Sequence, residues 1–398
     1  MNAPKAPKPG PLEGIRVADF SRVVAGPYAT MLLGDLGADV IKVERPGVGD
    51  DTRSFGPPFV DGESAYYLAV NRNKRGVAWD LSTPSGQRKA QRLAAVSDVV
   101  VENFRPGTAA KFGLSYEEVA EANPGVIYCS VSGFGTTGDG AALPGYDFLV
   151  QGVGGLMSVT GDPGGEPRKV GVAVVDVLTA QFATSAILAA LFERERSGVG
   201  QRVEVNLLSS LLAALINQAS TYVTTGAVPR AMGNKHPSIA PYETLYAADR
   251  LVVLAVGNDA QFAALAEVLG VGWMATDERF ETNAARVDNR TEMLRVLESK
   301  LCERPGAEWL GLIEAAGIPC GIVNDIAEAF GLAERLGLSP VVRLPRSGES
   351  VAGTAGEPGG EAQVRNPMGF SATPPTYRIP PPLLGEHTAA VEAELGLG

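Results

Sequence analysis

Short apolar segments alternate with longer segments of helical periodicity along the first 225 residues of the chain. Ile15–Phe20 and Asp39–Glu44 are predicted to be strands on either side of a helix over Pro27–Gly37, which makes one βαβ unit. The alternation continues, with strands predicted at Val99–Glu102 and Val126–Val131 and helices at Ser85–Val96 and Ser115–Ala122. This order of elements predicts an α/β fold built on a parallel sheet.

The pattern changes in the second half of the chain. A strand at Gln201–Val205 and a helix over Asn206–Thr225 are followed by a segment with Gly and Pro, Gly226–Pro241, that indicates a boundary. A smaller α+β domain is then predicted from strands at Leu251–Gly257 and Ile318–Val323 and helices at Asp259–Leu269, Asp288–Cys302 and Ala307–Ala316. From about Gly331 the chain is rich in Pro and Gly and is expected to be extended, with short strands. We therefore expect a large domain over 1–225, a small domain with its linkers over 226–330 and a C-terminal segment over 331–398.

One carboxylate, Asp176, lies in the otherwise apolar segment Val170–Val177. A buried acid costs free energy unless it is paired or used. Asp is a preferred N-cap and a long helix is predicted over Val177–Arg196, so capping alone could account for this residue. An ionised carboxylate at a helix N-terminus can also act as a nucleophile or base. The pattern by itself leaves both interpretations open.

The composition predicts a large acidic globular protein. Of its 398 residues 45% are apolar and 20% are charged, enough for a sizeable core and more than one domain. A net charge of −11 and a pI near 4.9 argue against a nucleic acid or an anionic membrane as partner, since either needs a concentrated basic face. No run reaches about 18 uninterrupted apolar residues. We expect no nucleic-acid or membrane partner.

The cysteines indicate a reducing compartment. Cys129, Cys302 and Cys320 are odd in number, far apart and mostly in apolar surroundings, which fits free thiols better than disulfides. With two histidines in the chain and no metal-ligand spacing, no metal site is expected. The N-terminus has no apolar core after its lysines, so the cytoplasm is the expected location.

Basic and amide side chains form three groups near predicted strand ends, namely Lys42 with Arg45, Lys74 with Arg75, and Asn103 with Lys111. Open α/β sheets bind ligands at strand ends, although scattered surface charge is the simpler explanation for any single one. Together, in an acidic protein, they suggest a phosphate-rich ligand, and Phe104 offers a flat surface for a purine ring. The turn 21–27 lacks G-x-G-x-x-G, which disfavours a dinucleotide-dependent dehydrogenase.

Motifs along nearly the whole chain resemble the class III coenzyme A transferase family. They are Leu12-Glu-Gly-Ile-Arg-Val-Ala-Asp-Phe-Ser, Ala25-Gly-Pro27, Leu36-Gly-Ala-Asp-Val-Ile-Lys-Val-Glu-Arg45, Asn73-Lys74-Arg75, Val101-Glu-Asn-Phe104, Gly198-Val-Gly-Gln-Arg-Val203, Gly317-Ile-Pro-Cys-Gly321 and Leu384-Gly-Glu-His-Thr388. The family includes formyl-CoA and carnitine CoA-transferases. The segments around Gly161, Asp176 and Gly233 look most like the branch acting on succinyl-CoA and small dicarboxylic acids.

The resemblance implies a fold and a set of site residues. The fold would be a large Rossmann-like domain and a small α+β domain, with the C-terminal segment returning to the large one and two chains interlocked as a homodimer. Asp176 would be the catalytic carboxylate, and no cofactor would be tightly bound, because the coenzyme A thioester is itself a substrate. The residues implied in coenzyme A binding are Val23, Val24, Arg45, Lys74, Arg75, Asn103, Phe104 and Lys111.

The implied reaction moves coenzyme A between an acyl-CoA and a small carboxylic acid. Asp176 would form an anhydride and then an aspartyl-CoA thioester. A free carboxylate attacks a thioester poorly in water, whereas a carboxylate held by the enzyme against the thioester carbonyl makes the attack effectively intramolecular. Backbone amides at Val24, Ala25 and the loop Gly233-Asn234 are candidate donors to the developing oxyanions. The expected contacts to the acid are Arg22, Tyr146, Gly233, Lys235 and His236, although a loop histidine satisfied by backbone is the simpler reading of His236.

Three other functions stay open on the sequence alone. α-Methylacyl-CoA racemases resemble this chain but use a His in Gly-His-Asp and a Glu in the small domain, whereas here the motif is Gly145-Tyr146-Asp147 and the Glu position aligns with Tyr246. Neutral Tyr is a poor base at pH 7, which favours the transferase. A non-catalytic acyl-CoA-binding protein would not need Asp176, and a nucleotide-dependent oxidoreductase would carry a detectable cofactor.

Overall fold

Strands and helices alternate over the part of the chain that the computed structural model describes, residues 10–344 and 360–397. The strands are β1 (Arg16–Asp19), β2 (Asp39–Glu44), β3 (Phe59–Val60), β4 (Glu63–Ser64), β5 (Lys74–Ala78), β6 (Val99–Glu102), β7 (Ile127–Ser132), β8 (Gln201–Asn206), β9 (Tyr242–Tyr246), β10 (Leu251–Ala255), β11 (Cys320–Ile322), β12 (Val341–Leu344) and β13 (Glu361–Val364). The helices are α1 (Ala25–Asp35), α2 (Ala65–Leu68), α3 (Pro84–Ala95), α4 (Thr108–Lys111), α5 (Tyr116–Ala122), α6 (Asp147–Val153), α7 (Val174–Ser197), α8 (Leu207–Ala214), α9 (Ile216–Thr225), α10 (Asp259–Val268), α11 (Asn283–Asp288), α12 (Arg290–Leu301), α13 (Gly306–Ala315), α14 (Ile326–Arg335) and α15 (Thr388–Glu394).

These elements group into two units. The larger unit runs to Leu156, continues over Lys169–Ala227 and resumes at Ser339, and the smaller comprises Met157–Arg168 and Val228–Leu338. The partition predicted from the sequence therefore differs in three places, because residues 157–168 and 331–338 belong to the smaller unit and residues 226–227 to the larger one. The first of these segments lies before α7, where the sequence pattern gave no sign of an excursion from the large domain.

The larger unit is built on a parallel sheet with the strand order β5-β2-β1-β6-β7-β8. Each neighbouring pair is parallel, for example Val17 opposite Val40 on one side and Val99 on the other. The α/β fold with a parallel sheet predicted from the sequence is confirmed. The chain adds strands on one side of β1 and then crosses to the other side at β6, so the carboxyl ends of β1 and β6 form a topological switch point, where such sheets bind ligands.

Apolar residues cover both faces of this sheet, as expected for parallel strands. Val17, Val99 and Cys129 face a core shared with α1 and α7, while Ala18, Val100 and Tyr128 face a second core shared with α3 and α5. The alternation places side chains from one strand in both cores, so the sheet cannot slip by one residue without exposing either.

The longest helix in the described chain, α7, is long and apolar enough to span a membrane by length and composition. Half of its apolar window is buried within the fold, and the helix packs against α1, α8, β7 and β8. It is a core helix of the larger unit.

The smaller unit combines a three-stranded antiparallel sheet, order β11-β10-β9, with helices α10 to α14 around its own core of residues such as Leu254, Phe262 and Trp309. Two helix predictions are wrong in their bounds. The predicted helix over Asn206–Thr225 breaks into α8 and α9 at Ile216, whose φ is +39°, and the one over Asp288–Cys302 is preceded by the separate helix α11.

Candidate active site

A cavity of about 450 Å³ lies at the carboxyl edge of the large sheet. It is lined by the turn after β1 (Arg22 to Ala25), the segment after β6 (Asn103 to Pro106), the loop after β7 and Tyr146, and Asp176 from α7. Its volume is in the range of small-molecule sites. The switch point, the turn and the one carboxylate singled out in the sequence therefore meet in one place.

Asp176 lies in the first turn of α7, which begins at Val174, so the prediction that Asp176 is the N-cap is wrong. The end of the helix is capped from another element, because Asp147 Oδ1 accepts hydrogen bonds from the backbone N–H of Val175 at 2.7 Å and of Asp176 at 3.3 Å. Gln151 Nε2 donates to Asp147 Oδ2 at 2.6 Å and fixes that carboxylate. The side chain of Asp176 is thereby left available to the cavity.

The Asp176 carboxyl is 9% exposed and has an altered acidity. Burial, with a further contribution from the like charge of Asp147, raises its pKa to about 7. Strongly shifted carboxyls in clefts are typical of reactive groups, although structural clusters also shift pKa values. At neutral pH this group exists in both protonation states, so it can lose its proton at little cost.

The turn after β1 brings the start of a helix to the same cavity, which Val24 and Ala25 line. Helix α1 begins at Ala25, and its N-cap Val24 makes no side-chain capping hydrogen bond, so no side chain caps the first N–H groups of the helix. Val23 has a φ of +71°, an unusual conformation for a β-branched residue, and donates its N–H to Asp50 Oδ1 at 3.2 Å. The site thus combines one carboxylate with a helix N-terminus, which favours negative charge.

Asn103 holds this turn rather than offering its amide to the cavity. Its Oδ1 accepts from the Arg22 N–H at 2.9 Å and its Nδ2 donates to the Arg22 carbonyl at 2.7 Å. The Arg22 guanidinium contacts Asp51 Oδ2 at 3.2 Å and keeps 41% of its side chain exposed. Arg22 and the exposed Arg105, which also lines the cavity, are therefore cations that can turn toward a ligand, and Arg22 is the one predicted from the sequence.

A second cavity, of about 250 Å³, adjoins the first, since Arg22 and Phe104 line both. Arg45 lines it with 53% of its side chain exposed and a 2.8 Å contact to Asp51. Phe104 packs against Phe20 and Phe112, with ring centroids 6.4 Å and 5.7 Å apart. The second cavity has flat apolar walls and a mobile cation at its rim, as a nucleotide would need.

Lys74, Arg75 and Lys111 do not reach this site as the sequence predicted. Lys74 is fully buried and donates to Asp19 at 3.0 Å, and Arg75 contacts Asp39, the first residue of β2, at the opposite edge of the sheet. Lys111 is exposed on α4 and lines neither cavity. The first two are corrected because both residues begin β5, so the carboxyl edge of the sheet lies at the far end of that strand.

The remaining predicted substrate residues divide between the units. Tyr146 is 64% exposed and lines the first cavity. Gly233, Lys235 and His236 belong to the smaller unit, where His236 Nδ1 accepts from the Ser238 N–H at 3.2 Å and its ring lies 5.3 Å from that of Tyr242. The simpler reading of His236, a loop residue satisfied by backbone, fits these contacts.

Sequence reasoning missed the residues that support the site, namely Asp19, Asp50, Asp147 and Gln151. Asp147 was visible as a polar residue four positions before Gln151, a spacing typical of one helical face. Lys42, in the middle of the apolar strand Asp39–Glu44, signals a buried partner, but nothing in the sequence identifies that partner as Asp50. Within the described residues, 10–344 and 360–397, no cluster of His, Cys, Asp or Glu side chains could hold a metal ion.

Comparisons with known proteins agree with this architecture. The sequence profile of CoA-transferase family III matches residues 12–388. The chain is 46% identical to the succinate–glutarate CoA-transferase of Agrobacterium fabrum over 97% of this chain and 96% of that one, and 43% identical to the mouse succinyl-CoA:glutarate CoA-transferase over 97% and 86%. The crystal structure of a CaiB/BaiF family protein from Brucella suis has a TM-score of 0.86 and 42% identity, covering 98% of this chain and 100% of that one. The resemblance seen in the motifs is confirmed, and the chain belongs to the class III CoA-transferase family of enzymes.

Proposed function

We propose that this enzyme moves coenzyme A from succinyl-CoA to a small dicarboxylic acid such as glutarate, with Asp176 as the nucleophile. The observation that carries the proposal is a carboxylate of raised pKa in a cavity lined by uncapped helix N–H groups at the sheet's switch point. The names of the two relatives point to succinyl-CoA and glutarate as the substrate pair.

The first half-reaction transfers coenzyme A to the enzyme. An Asp176 oxygen attacks the thioester carbonyl carbon. The tetrahedral oxyanion then collapses, which expels the coenzyme A thiolate and forms an aspartyl–succinyl anhydride. The thiolate then attacks the aspartyl carbonyl, which releases succinate and leaves an aspartyl-CoA thioester. Each oxyanion forms next to the turn after β1, whose N–H groups at Val24 and Ala25 are suited to stabilise it.

The second half-reaction runs these steps in reverse with the acceptor acid. Its carboxylate attacks the aspartyl-CoA carbonyl, the thiolate leaves, and a new anhydride joins the acceptor to Asp176. Attack of the thiolate on the acceptor acyl carbon then gives the product acyl-CoA and regenerates the Asp176 carboxylate. The thioester bond is conserved, so the exchange needs no nucleotide hydrolysis.

Coenzyme A would occupy the two adjoining cavities, with its acyl end beside Asp176 and its nucleotide in the second cavity. Phe104 lines both cavities and can pack against the purine, and Arg45 can contact phosphates. Val23 and Val24 would line the path with backbone, and Asn103 would act by holding the Arg22 backbone. Lys111, exposed on α4, would be at most an outer contact for phosphate.

The second carboxylate of the acceptor needs a cation, and Arg22 is the candidate in the first cavity. Its present partner Asp51 shares its charge with Arg45, so Arg22 can exchange that contact for a substrate carboxylate. Tyr146 can add a hydroxyl from the same cavity. The roles of Gly233, Lys235 and His236 stay predictions carried by the resemblance.

The test is to incubate the protein with succinyl-CoA alone and then with glutarate. With the donor alone, intact-mass spectrometry is expected to show a covalent adduct of coenzyme A less water, and glutarate should discharge it as glutaryl-CoA. Asp176→Asn should form neither, whereas Asp139→Asn, at an exposed residue of the loop after β7 that does not line the cavity, should form both. An adduct that persists in Asp176→Asn, or glutaryl-CoA formed without it, would contradict the proposal.

The racemase alternative is tested by incubating the protein in D₂O with a methyl-branched acyl-CoA. The family's racemases resemble the chain, but residue 146 here is tyrosine and not histidine. Glu243, the acidic residue three positions from Tyr246, is buried in the smaller unit with Arg290 3.7 Å away. We expect no deuterium at the α-carbon of a methyl-branched acyl-CoA. Incorporation without new CoA esters would identify a racemase instead.

The interlocked homodimer is also proposed. Helices α7 to α9 of the larger unit leave large apolar side chains uncovered, notably Phe192 at 65%, Ile216 at 74% and Val223 at 79% exposure. A monomer gains nothing from such a surface, whereas a second copy would bury it. Light scattering on a size-exclusion column is expected to give twice the 41.4 kDa chain mass, and a monomeric peak at micromolar concentration would contradict the dimer.

A cytoplasmic location is proposed from the thiols. Cys129, Cys302 and Cys320 are all free, and Cys302 is exposed. An exposed free thiol is best preserved in a reducing compartment. Cell fractionation with an antibody tests this, and recovery of the protein from an oxidising compartment would contradict it.

A further inference from the structure

Four charged side chains lie fully buried beneath the turn that lines the first cavity. Asp19, Lys42, Asp50 and Lys74 are each 0–1% exposed. They form two ion pairs, Lys42 with Asp50 at 2.8 Å and Lys74 with Asp19 at 3.0 Å. None of the four lines the cavity itself. The resemblance assigned Lys74 to coenzyme A, and its burial requires another role.

The first pair holds the middle of the turn. Lys42 Nζ donates to the Ser21 carbonyl at 3.0 Å as well as to Asp50 Oδ2. Asp50 Oδ1 accepts from the Val23 N–H at 3.2 Å and from the N–H and hydroxyl of Thr52 at 3.0 Å and 2.9 Å. The contact from Asp50 to Val23 is made while Val23 has a positive φ, so the pair supports a backbone conformation that valine disfavours.

The second pair holds the two ends of the turn. Asp19 Oδ1 accepts from the N–H and hydroxyl of Ser21, and its Oδ2 accepts from the Thr30 hydroxyl on α1 at 2.7 Å. Lys74 Nζ donates to the Pro27 carbonyl at 2.8 Å and to Asn71 Oδ1 at 2.9 Å. The start of helix α1 is thus tied to the end of β1 through charged side chains.

Stability alone is a weak reason for such an arrangement. Removing charged groups from water costs about as much as their attraction returns, and apolar replacement of a whole buried pair is often neutral or stabilising. Here the hydrogen bonds of both pairs converge on one short stretch of backbone, Ser21 to Pro27. That stretch includes Val24 and Ala25, which line the cavity and begin the helix. Rigid placement of donors is what stabilisation of a developing oxyanion requires.

We propose that Lys42 and Asp50, supported by Lys74 and Asp19, are positioning residues. They fix the Val24 and Ala25 N–H groups where these can stabilise the oxyanions that form in the reactions of Asp176. The inference rests on the proposed function, since it needs an oxyanion in the first cavity. Lys42, Lys74 and Asp19 line neither cavity, whereas Asp50 also lines the second one. The effect of replacing Lys42 is therefore expected in the rate of covalent chemistry and not in the affinity for coenzyme A.

The test compares Lys42→Met, the double variant Lys42→Met with Asp50→Asn, and the control Arg72→Met. Arg72 forms an equally buried pair with Asp35 at the other end of α1, at 2.6 Å, and lines neither cavity. The measurements are the melting temperature, KM for succinyl-CoA, and kcat per site able to form the covalent coenzyme A adduct. Counting only reactive sites removes the contribution of unfolded protein from kcat.

Both Lys42 variants are expected to lose about 30- to 100-fold in kcat, the size of effect found for a misplaced oxyanion donor. KM of Lys42→Met should change less than about threefold, because Lys42 lines neither cavity; Asp50 lines the second cavity, so the double variant is judged by its kcat alone. The double variant should regain melting temperature relative to Lys42→Met, because no charge is left unpaired, but should not regain kcat, because the Ser21 carbonyl is still unheld. Arg72→Met should lose melting temperature and keep kcat within about twofold.

A purely structural role predicts the opposite pattern. If kcat of the double variant returns together with its melting temperature, or if kcat of Arg72→Met falls as far as that of Lys42→Met, the positioning role is refuted. If Lys42→Met fails to fold, the double variant and the control still decide. Failure of the unchanged protein to form glutaryl-CoA would instead refute the proposed function, and the native measurement in the same series separates the two results.

Discussion

At the scale of single residues, Asp176 must reconcile two requirements. It needs to be ionised to attack a thioester, yet burial and Asp147 raise its pKa to about 7. A carboxylate of higher pKa is less solvated and more basic, so the shift makes the ionised fraction more reactive while halving that fraction near neutrality. Asp147 contributes to this balance and also caps the helix through two backbone N–H groups, so its charge and its hydrogen bonding can be separated by substitution.

Asp147→Asn is expected to shift the acidic limb of the pH–rate profile to lower pH. Asn keeps an acceptor for the Val175 and Asp176 N–H groups, removes the like charge and gives up the bond from Gln151 Nε2. Without the like charge the pKa of Asp176 should fall from about 7, and the carboxylate should persist at lower pH. The rate of adduct formation from succinyl-CoA at pH 6, relative to its pH 8 plateau, should rise about twofold or more.

The control for that profile is Glu121→Gln on the exposed face of α5, which removes a charge remote from the cavity and should leave the limb in place. A limb that moves equally in both variants would mean that net charge, and not the neighbour of Asp176, sets the profile. An unchanged limb in Asp147→Asn would mean that burial alone raises the pKa.

Asp176→Asn is expected to stabilise the free protein at pH 8. The folded-state pKa of about 7 lies above the ordinary value of an unfolded carboxyl, so the folded state prefers the protonated acid and ionisation costs stability as pH rises toward 7. Above pH 7 the cost is constant and of order 2–4 kcal/mol. Thermal unfolding should therefore show a rise in melting temperature that is largest at pH 8 and smaller at pH 5. An equal rise at both pH values would mean that packing and not charge is responsible.

At the scale of elements, the turn between β1 and α1 is the feature that links fold to chemistry. It stores an unfavourable conformation at Val23, φ +71°, and lies over four buried charges. Left-handed backbone costs a non-glycine residue about 1–2 kcal/mol. Such strain persists where the surrounding structure fixes it, and here Asn103 holds the Arg22 backbone and Asp50 holds the Val23 N–H.

Val23→Gly should leave the stability nearly unchanged, whereas Val24→Gly should lower it by about 2–3 kcal/mol. Glycine at 23 relieves the left-handed strain, which offsets its own entropy and the loss of a partly buried side chain. Glycine at 24 relieves nothing, because φ there is −125°, and removes a side chain that is only 5% exposed. Urea unfolding of the two variants measures the difference. Equal losses would show that Val23 is not strained.

The sequence predicted elements well where local pattern decides them. Strands β2 and β6 have the predicted bounds Asp39–Glu44 and Val99–Glu102, because a buried apolar run with turn residues on both sides is a local signal. The break at Ile216 was missed because no Pro or Gly marks it and packing against neighbours selects it. The start of α7 was misplaced because its cap, Asp147, comes from a different helix.

The site residues, like the strands and helices, were predictable where a local sequence pattern carries them. Asp176, the turn after β1 and Phe104 were found because motifs carry them, and the structure brings all three to one cavity. Lys74 was misassigned because a lysine beside a strand gives no sign of its depth, and its partner Asp19 lies 55 residues earlier. Burial of long-range ion pairs depends on the assembled sheet, which local patterns do not describe.

At the scale of the whole molecule, the C-terminal segment protects an edge of the sheet. β5 is the outermost strand, and its outward N–H groups at Gly76 and Ala78 are taken by His387 Nδ1 at 3.2 Å and Thr388 Oγ1 at 3.0 Å. The His387 N–H returns a bond to the Gly76 carbonyl at 2.9 Å. An uncovered strand edge is a template for aggregation, so the last turn of chain before α15 substitutes for a seventh strand.

Thr388→Val is expected to destabilise the protein by about 1–2 kcal/mol, because it leaves the Ala78 N–H beside an apolar group and without its acceptor. The matched control is Thr376→Val in the same segment, whose buried hydroxyl has no hydrogen-bond partner among residues 10–344 and 360–397, so its removal should be neutral or stabilising. Thermal unfolding and the rate of aggregation at the melting midpoint are the measurements. If the edge is protected as inferred, Thr388→Val melts earlier and aggregates faster while Thr376→Val does neither, and identical behaviour of the two would show that the hydroxyl of Thr388 does not seal the strand.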